Sequence, residues 1–185
     1  IVPIPQKKEG VLEHVNALYD ELKAAGIRVK LDDSTENSPG WKFNEYEMKG
    51  VPLRLEVGPR DIENGVMMAA RRDTLEKVTL ERADAAQTVK ALLDTIHYDM
   101  LEKARVSRDE KTYVVKSYEE FKTKMVETPG FAKAMWCGEE ACEAEVKAET
   151  GVTIRCIPFE QENLGDTCPF CGKPAKQMVY MAKAY

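Results

Sequence analysis

The chain has 185 residues, of which 43% are hydrophobic and 32% charged, and its formal net charge is −5. At about 150 residues per domain this length predicts one or two domains, and the composition is typical of a soluble globular chain, which argues against wholesale disorder. No apolar run approaches the about 20 residues that a membrane-spanning helix needs.

The first hundred residues alternate between the hydrophobic periods of strands and helices. Gly26 stands where a helix C-terminus is expected, Ser38 and Pro39 suit the N-cap and first position of a second helix, and Asp84 suits the cap of a third. The predicted strands are 1–4, 27–31, 53–57, 65–71 and 75–82; the predicted helices are 10–25, 38–49 and a long helix after Asp84.

This order predicts an α/β or α+β fold, in which a mixed β-sheet is flanked by helices and is followed by a small α+β zinc-binding domain. The expected domains are 1–104 and 105–185, with a charged linker at about 105–115 and a broken helix at 116–135. The apolar opening at 1–4 resembles the inside of a strand and is not a signal peptide, which suggests a piece of a longer protein.

The negative charge is concentrated in one segment. Residues 137–167 contain eight acidic and two basic residues, so the rest of the chain is close to neutral. A nucleic-acid-binding domain is usually basic, and the overall balance counts against that class at first sight. The uneven distribution leaves the first domain able to face a polyanion.

All five cysteines follow residue 136, and four of them form a C-x4-C and a C-x2-C pair. With no secretion signal, this clustering favours a metal over disulfides and implies a reducing, cytoplasmic setting. Four thiolates suit a closed, structural Zn²⁺ site. Two disulfides or a redox C-x-x-C are the alternatives, and Cys156 is expected to be a small buried hydrophobe. The predicted ligands are Cys137, Cys142, Cys168 and Cys171.

The segment from Trp41 to Asp61, with its G-V-P-x-R-x-E-x-G-P-R-D core, resembles the anticodon-binding domain of prolyl-tRNA synthetases. The cysteine segment, the Arg155–Phe159 sequence and the final Ala-Lys-Ala-Tyr resemble the archaeal/eukaryote-like type of that family. The resemblance covers essentially the whole chain. It implies recognition of the tRNA-proline anticodon, with ATP, proline and the ligase chemistry in a catalytic domain that this chain lacks, so that the fragment alone is expected to be inactive.

The resemblance also implies the residues that hold the two guanines of the proline anticodon: Phe43, Glu47, Arg54, Arg60 and Asp61. Their chemistry agrees, because a carboxylate accepts from guanine N1–H and N2–H2, a guanidinium donates to O6 and N7, and an aromatic ring stacks on a splayed base. Arg60 stands where the family often has Lys, which changes the donor geometry.

Simpler interpretations remain open for each of these residues. For Phe43 the alternative is packing in the core, and for Glu47 it is a solvated helix face shared with Lys42 or Lys49. For Arg54 the alternative is a pair with Glu56 along one strand face. For residues 60–61 it is a role in shaping the turn alone. At the level of the whole chain, the alternatives are a zinc-stabilised protein-interaction module and a thiol redox enzyme.

The resemblance implies two further partnerships. Tyr185 becomes a candidate contact with the catalytic domain, because the C-terminal carboxylate folds back toward that domain in the family. The intact enzymes are homodimers through their catalytic domains, so this chain is expected to be monomeric and to interact with tRNA-proline, with its own catalytic domain and with no membrane.

Overall fold

A computed structural model describes residues 1–4 and 10–184 of the chain, which fall into two compact units, Ile1–Glu102 and Lys103–Tyr185. No helix in these described ranges combines the length and apolarity needed to cross a bilayer. The helices are α1 Val11–Ala24, α2 Pro39–Met48, α3 Pro59–Glu63, α4 Ala85–Glu110, α5 Tyr118–Glu127 and α6 Glu140–Thr150. The strands are β1 Val2–Pro3, β2 Leu53–Val57, β3 Val66–Arg71, β4 Lys77–Glu81, β5 Thr112–Val114, β6 Phe131–Trp136, β7 Val152–Cys156 and β8 Gln177–Lys183.

The first unit is built on a mixed four-stranded sheet in the order β1-β2-β3-β4. Strand β1 is parallel to β2, and the other neighbours are antiparallel. Alternation along the strands sends Leu55, Ala69 and Val78 to one face, where they are paired across the sheet. Helices α1 and α4 cover that face with Leu18 and Val89, which are buried in the same core.

The opposite face of this sheet carries charge. Arg54 on β2 pairs with Ala70 on β3, which in turn pairs with Lys77 on β4. Because side chains alternate along a strand, Glu56 lies on the same face as Arg54, two residues further on. Helix α2 contributes to this face and not to the core, since Lys42 is its only buried residue.

Two predictions for the first 115 residues were wrong. The segment 27–31 is not among the assigned strands, although Ile27, Val29 and Leu31 pack against the core as the alternation predicts. The segment is joined to the start of the chain by Ile1, whose ammonium donates to the Lys30 carbonyl at 2.7 Å and whose carbonyl accepts from the adjacent Asp32 amide at 3.0 Å. The segment 105–115 is not a linker, because α4 continues to Glu110 and β5 follows. Arg105, Arg108 and Glu110 are good helix formers, so this charged sequence extends an exposed helix instead of ending it.

The second unit has a four-stranded sheet in the order β5-β6-β8-β7. Phe121, Ala134 and Val179 form part of its buried core. The prediction of a helix over 116–135 was wrong after Glu127, because residues 131–136 form the central strand β6. Pro129 and Gly130 separate the two elements, and the alternately buried Ala132 and Ala134 face the core in the strand period.

Candidate functional site

Helix α2 is fixed by its N-cap and by a buried lysine. The Ser38 hydroxyl accepts from the Trp41 amide at 3.3 Å, as predicted for an N-cap. The side chain of Lys42 is fully buried, and its ammonium contacts the Asp32 carboxylate and carbonyl and the Ser34 carbonyl at 2.6–2.9 Å. All three N–H donors of the lysine are therefore satisfied, and α2 is anchored to the 32–34 loop.

The same anchor perturbs two acidic groups. The Tyr46 hydroxyl donates to Asp32 Oδ2 at 2.7 Å. Burial, together with this bond, raises the pKa of Tyr46 to about 12. Burial raises the pKa of the Asp32 carboxyl, but hydrogen bonds from Lys42 and Tyr46 and the charge of Lys42 outweigh it, so the pKa lies below its usual value. Lys42 is therefore structural, and the interpretation that it shares a solvated face with Glu47 was wrong.

Three of the five predicted guanine-binding residues meet at the Arg54 guanidinium. Its Nη1 donates to Glu47 Oε1 at 2.7 Å, and its carbon Cζ lies 3.9 Å from the centre of the Phe43 ring. Phe43 and Glu47 are one helical turn apart on α2, so both face the sheet at this point. Phe43 is not a member of the buried core; it is half-buried beneath a cation, and this contact occupies one face of its ring.

The sheet supplies two residues that the sequence analysis did not single out as site residues. The Glu56 carboxylate is 9% exposed; its Oε1 accepts from Arg54 Nε and Nη2 at 3.1 and 3.0 Å, and its Oε2 accepts from Lys77 Nζ at 2.7 Å. The pairing of Arg54 with Glu56, one of the simpler interpretations, is thus present together with the Arg54–Glu47 contact. The alternation along β2 could have identified Glu56, because it places this residue on the same face as Arg54. Lys77 could be identified only from the register of the β3–β4 hairpin.

Arg72 adds a further basic group beside this cluster. Its Nε donates to the carbonyl of Glu47 at 2.8 Å, and the side chain is exposed. We call Phe43, Glu47, Arg54, Glu56 and Lys77 the sheet-face cluster. A flat aromatic ring, guanidinium donors and an exposed carboxylate together match what a splayed, unpaired guanine presents.

Arg60 and Asp61 lie at the edge of this face, in a groove of about 530 Å³ that Glu56 and Lys77 also line. Asp61 has a structural role there, because its Oδ2 accepts from the Gly58 amide at 2.8 Å and caps the short helix α3. Arg60 is exposed beside it. The groove connects both residues to the cluster, and their contact with an anticodon base stays a prediction.

The four predicted metal ligands lie together in the second unit. Their sulfur atoms are all within 4.8 Å of one another, and the distances are 3.9 Å for Cys142–Cys168 and 3.6 Å for Cys137–Cys171. Four thiolates at about 2.3 Å from one tetrahedral ion lie about 3.8 Å apart, whereas a disulfide needs about 2.05 Å. The donor set therefore fits a metal ion and excludes the two-disulfide interpretation in this structure.

Local backbone structure presents these sulfurs. Cys168 and Cys171 lie in a turn closed by the Gly172 amide on the Cys168 carbonyl at 2.9 Å, and Gly172 has a φ of 72°, as the turn requires. Cys137 directly follows β6, and Cys142 lies in the first turn of α6. The helix that a redox C-x-x-C normally opens is absent from the described residues after Cys171, where β8 is the next element.

A cation would change the protonation of this cluster. Burial, followed by hydrogen bonds to the neighbouring thiols, raises the pKa of the Cys142 thiol far above its ordinary value. The thiolate form of a ligand set this crowded is thus stabilised only when positive charge is bound.

Cys156 is exposed, so the expectation that it is buried was wrong; it ends β7 beyond the last buried position of that strand. Tyr185 lies outside the described residues.

Comparisons with known proteins agree with both parts. A family model described as an anticodon binding domain matches residues 1–92, and one described as the C-terminal part of prolyl-tRNA synthetase matches residues 118–185. The chain is 69% identical to a proline–tRNA ligase of Acetoanaerobium sticklandii and 62% identical to one of Alkaliphilus oremlandii, each over all 185 residues. It spans 38% of the length of each of these relatives.

A solved structure has the same fold. The crystal structure of prolyl-tRNA synthetase from Cryptosporidium parvum, complexed with L-proline and AMP, matches all of this chain and 40% of its own with a TM-score of 0.90 and 34% sequence identity. The mixed α/β architecture expected from the sequence is thereby confirmed.

Proposed function

Because the chain belongs to the prolyl-tRNA synthetase family, of which it spans the anticodon-binding and C-terminal domains, we propose that its sheet-face cluster reads the guanines of the tRNA-proline anticodon. Binding energy at this face selects and positions the tRNA. In the whole enzyme, a catalytic domain supplies the ATP-dependent attachment of proline to that tRNA.

One observation carries the proposal: Arg54 is held between an aromatic ring and two carboxylates on the charged face of the sheet. Of its five N–H donors, the three hydrogen bonds to Glu47 and Glu56 use three, which leaves two for an incoming base. Guanine offers the acceptors O6 and N7 side by side, which is the arrangement that a guanidinium recognises.

Replacing Arg54 by Ala is expected to abolish the preference for guanine. A good bidentate contact is worth about 1–3 kcal/mol of discrimination, or roughly five- to 150-fold in affinity. We would measure binding of an anticodon stem-loop of tRNA-proline, and of the same loop with its two guanines replaced by adenines, by fluorescence anisotropy. Arg28→Ala is the control for charge, since it removes one positive charge from an exposed side chain outside the cluster.

The proposal fails if the wild-type chain binds both loops equally, or if Arg28→Ala and Arg54→Ala lose the same amount. A general loss of positive charge lowers affinity for any RNA and reduces the salt dependence of binding, but it does not change the ratio between the two loops. The ratio therefore separates base recognition from electrostatic attraction.

We further propose that the metal is Zn²⁺, held by Cys137, Cys142, Cys168 and Cys171 in a closed structural site. The support is the all-sulfur ligand set with tetrahedral spacing and no histidine ligand among the described residues. Free thiols of this kind suit a reducing compartment, so we propose the cytoplasm. The homodimer is proposed for the whole enzyme and a monomer for this chain.

A protein-interaction role is the second candidate, and one observation favours it. The side chain of Phe159 is fully exposed and that of Ile157 half-exposed, at the tip of the loop after β7. Gln161 holds this loop, since its side chain donates to the Pro158 carbonyl at 2.7 Å and accepts from the Met178 amide at 2.7 Å. RNA binding through the sheet-face cluster predicts a steep loss of affinity with salt, which docking through this apolar tip does not.

A further inference from the structure

Glu56 is the most enclosed carboxylate of the sheet face, and anticodon reading alone does not require it. Its side chain is 9% exposed, against 39% for Glu47, the other acid bound to Arg54. Both of its oxygens are used, one by Arg54 and the other by Lys77. A buried carboxylate is costly unless it is paired, and here two cations pair it.

The two carboxylates on Arg54 are placed differently. Glu56 engages Nε and Nη2, which form one edge of the guanidinium, while Glu47 receives a single bond from Nη1. If Glu47 turns to accept from guanine N1–H and N2–H2, it releases Arg54. Glu56 cannot follow, because it lies on a strand inside the sheet and is bound at both oxygens.

We propose that Glu56 is a positioning residue for guanine recognition: its enclosed carboxylate keeps Arg54 in place on Phe43 while Glu47 turns to the base, and it aligns the ammonium of Lys77 beside them. This inference rests on the proposed function and deepens it. Preorganisation of this kind lowers the ordering cost at binding, because Arg54 loses little rotamer freedom when RNA arrives.

A positioning role and simple electrostatics predict opposite changes in RNA affinity when Glu56 is neutralised, which makes the role testable. Removing a negative charge beside a polyanion site strengthens RNA binding in general. A positioning role instead predicts that Glu56→Gln weakens binding although the protein becomes less negative. Glu81→Gln is the matched control, since Glu81 is exposed on the same face of β4 and makes no ion pair among the described residues.

The experiment uses the full 185-residue chain and the guanine and adenine stem-loops described above. Glu81→Gln is expected to bind the guanine loop as well as wild type or more tightly. Glu56→Gln is expected to bind it about tenfold more weakly and to bind the adenine loop nearly as wild type does, so that discrimination falls. In the RNA-free protein, ¹⁵N NMR is expected to show that the Arg54 Nε–H is protected from solvent exchange in wild type and in Glu81→Gln but not in Glu56→Gln.

If the wild type prefers guanine but Glu56→Gln binds both loops as Glu81→Gln does, this inference alone is overturned. A wild-type chain without guanine preference would overturn the proposed function and this inference with it. If circular dichroism shows that Glu56→Gln does not fold, Glu56→Asp decides: it keeps the charge but is one methylene too short to hold both cations. Normal guanine discrimination in Glu56→Asp would overturn the positioning role, and a loss of about tenfold would support it.

Discussion

Replacing Cys168 by Ser is expected to unfold the second unit and to leave the first unit folded. Cys168 is buried and its sulfur is 3.9 Å from that of Cys142, so its loss removes one of four ligands and opens the closed coordination shell. Apparent binding free energies of structural zinc sites are about 10–16 kcal/mol, comparable to the whole stability of a domain of this size.

The ligands come from three separate parts of the second unit, so one ion joins them at a single point. Cys137 follows β6, Cys142 belongs to α6, and the Cys168–Cys171 turn precedes β8. Phe170 in that turn packs 5.0 Å from the Phe121 ring of α5, so displacement of the turn also opens the core. The loss of the metal is therefore expected to spread through the second unit.

Two tryptophans allow each unit to be followed separately, because Trp41 is in the first and Trp136, next to Cys137, is in the second. In a Trp41→Phe background, the fluorescence of Trp136 under urea is expected to show an unfolding transition that is lost in Cys168→Ser and after chelation. Cys156→Ser is the control, since this fifth cysteine is exposed and outside the cluster. Elemental analysis should find one metal ion per chain in the wild type and in Cys156→Ser. Equal urea unfolding transitions of Trp136 in Cys156→Ser and Cys168→Ser would contradict the structural role of the site.

The sequence predicted elements where local and tertiary preferences agree. The N-cap at Ser38, the alternation along β2 and the hairpin of β3 and β4 were all visible as short-range patterns. The strand expected at 27–31 shows the limit, because its apolar face is real but strand assignment requires a hydrogen-bonded neighbour, which periodicity does not identify. At 131–136, two alanines and a lysine have weak strand propensity, and the sheet, not the local sequence, determines the strand.

The candidate site also contains residues that the sequence predicts and residues that only the structure identifies. The sequence alone predicts residues that a motif or a helical spacing brings together, such as the two cysteine pairs or Phe43 and Glu47 on one helix face. Lys77 comes from another strand, and its place beside Glu56 depends on the register of Ala70 with Lys77. Burial is a further quantity that a single sequence conceals: Lys42 and Lys49 are both lysines of the same helical region, yet the first is fully buried and the second 57% exposed.

Replacing Lys42 by Met is expected to destabilise the first unit by about 3 kcal/mol, because methionine fills the space but leaves the Asp32 carboxylate without its counter-charge and two backbone carbonyls without their donor. Lys49→Met is the control; its exposed pair with Glu45 is worth at most about 0.5 kcal/mol. Urea unfolding followed by the fluorescence of Trp41, in a Trp136→Phe background, measures both. Equal stabilities of the two variants would contradict the anchoring role of Lys42.

The pH dependence of this difference provides an independent check of the ion pair. The folded-state pKa of Asp32 lies below its usual value, so the stabilisation is complete above the unfolded-state pKa of about 3.9 and is lost as the pH falls through the folded-state pKa. The gap in stability between wild type and Lys42→Met should therefore be constant near neutral pH and narrow in acid below about pH 4. Because Lys42 directly precedes Phe43, a loosened α2 should also weaken guanine discrimination at neutral pH, whereas Lys49→Met should not.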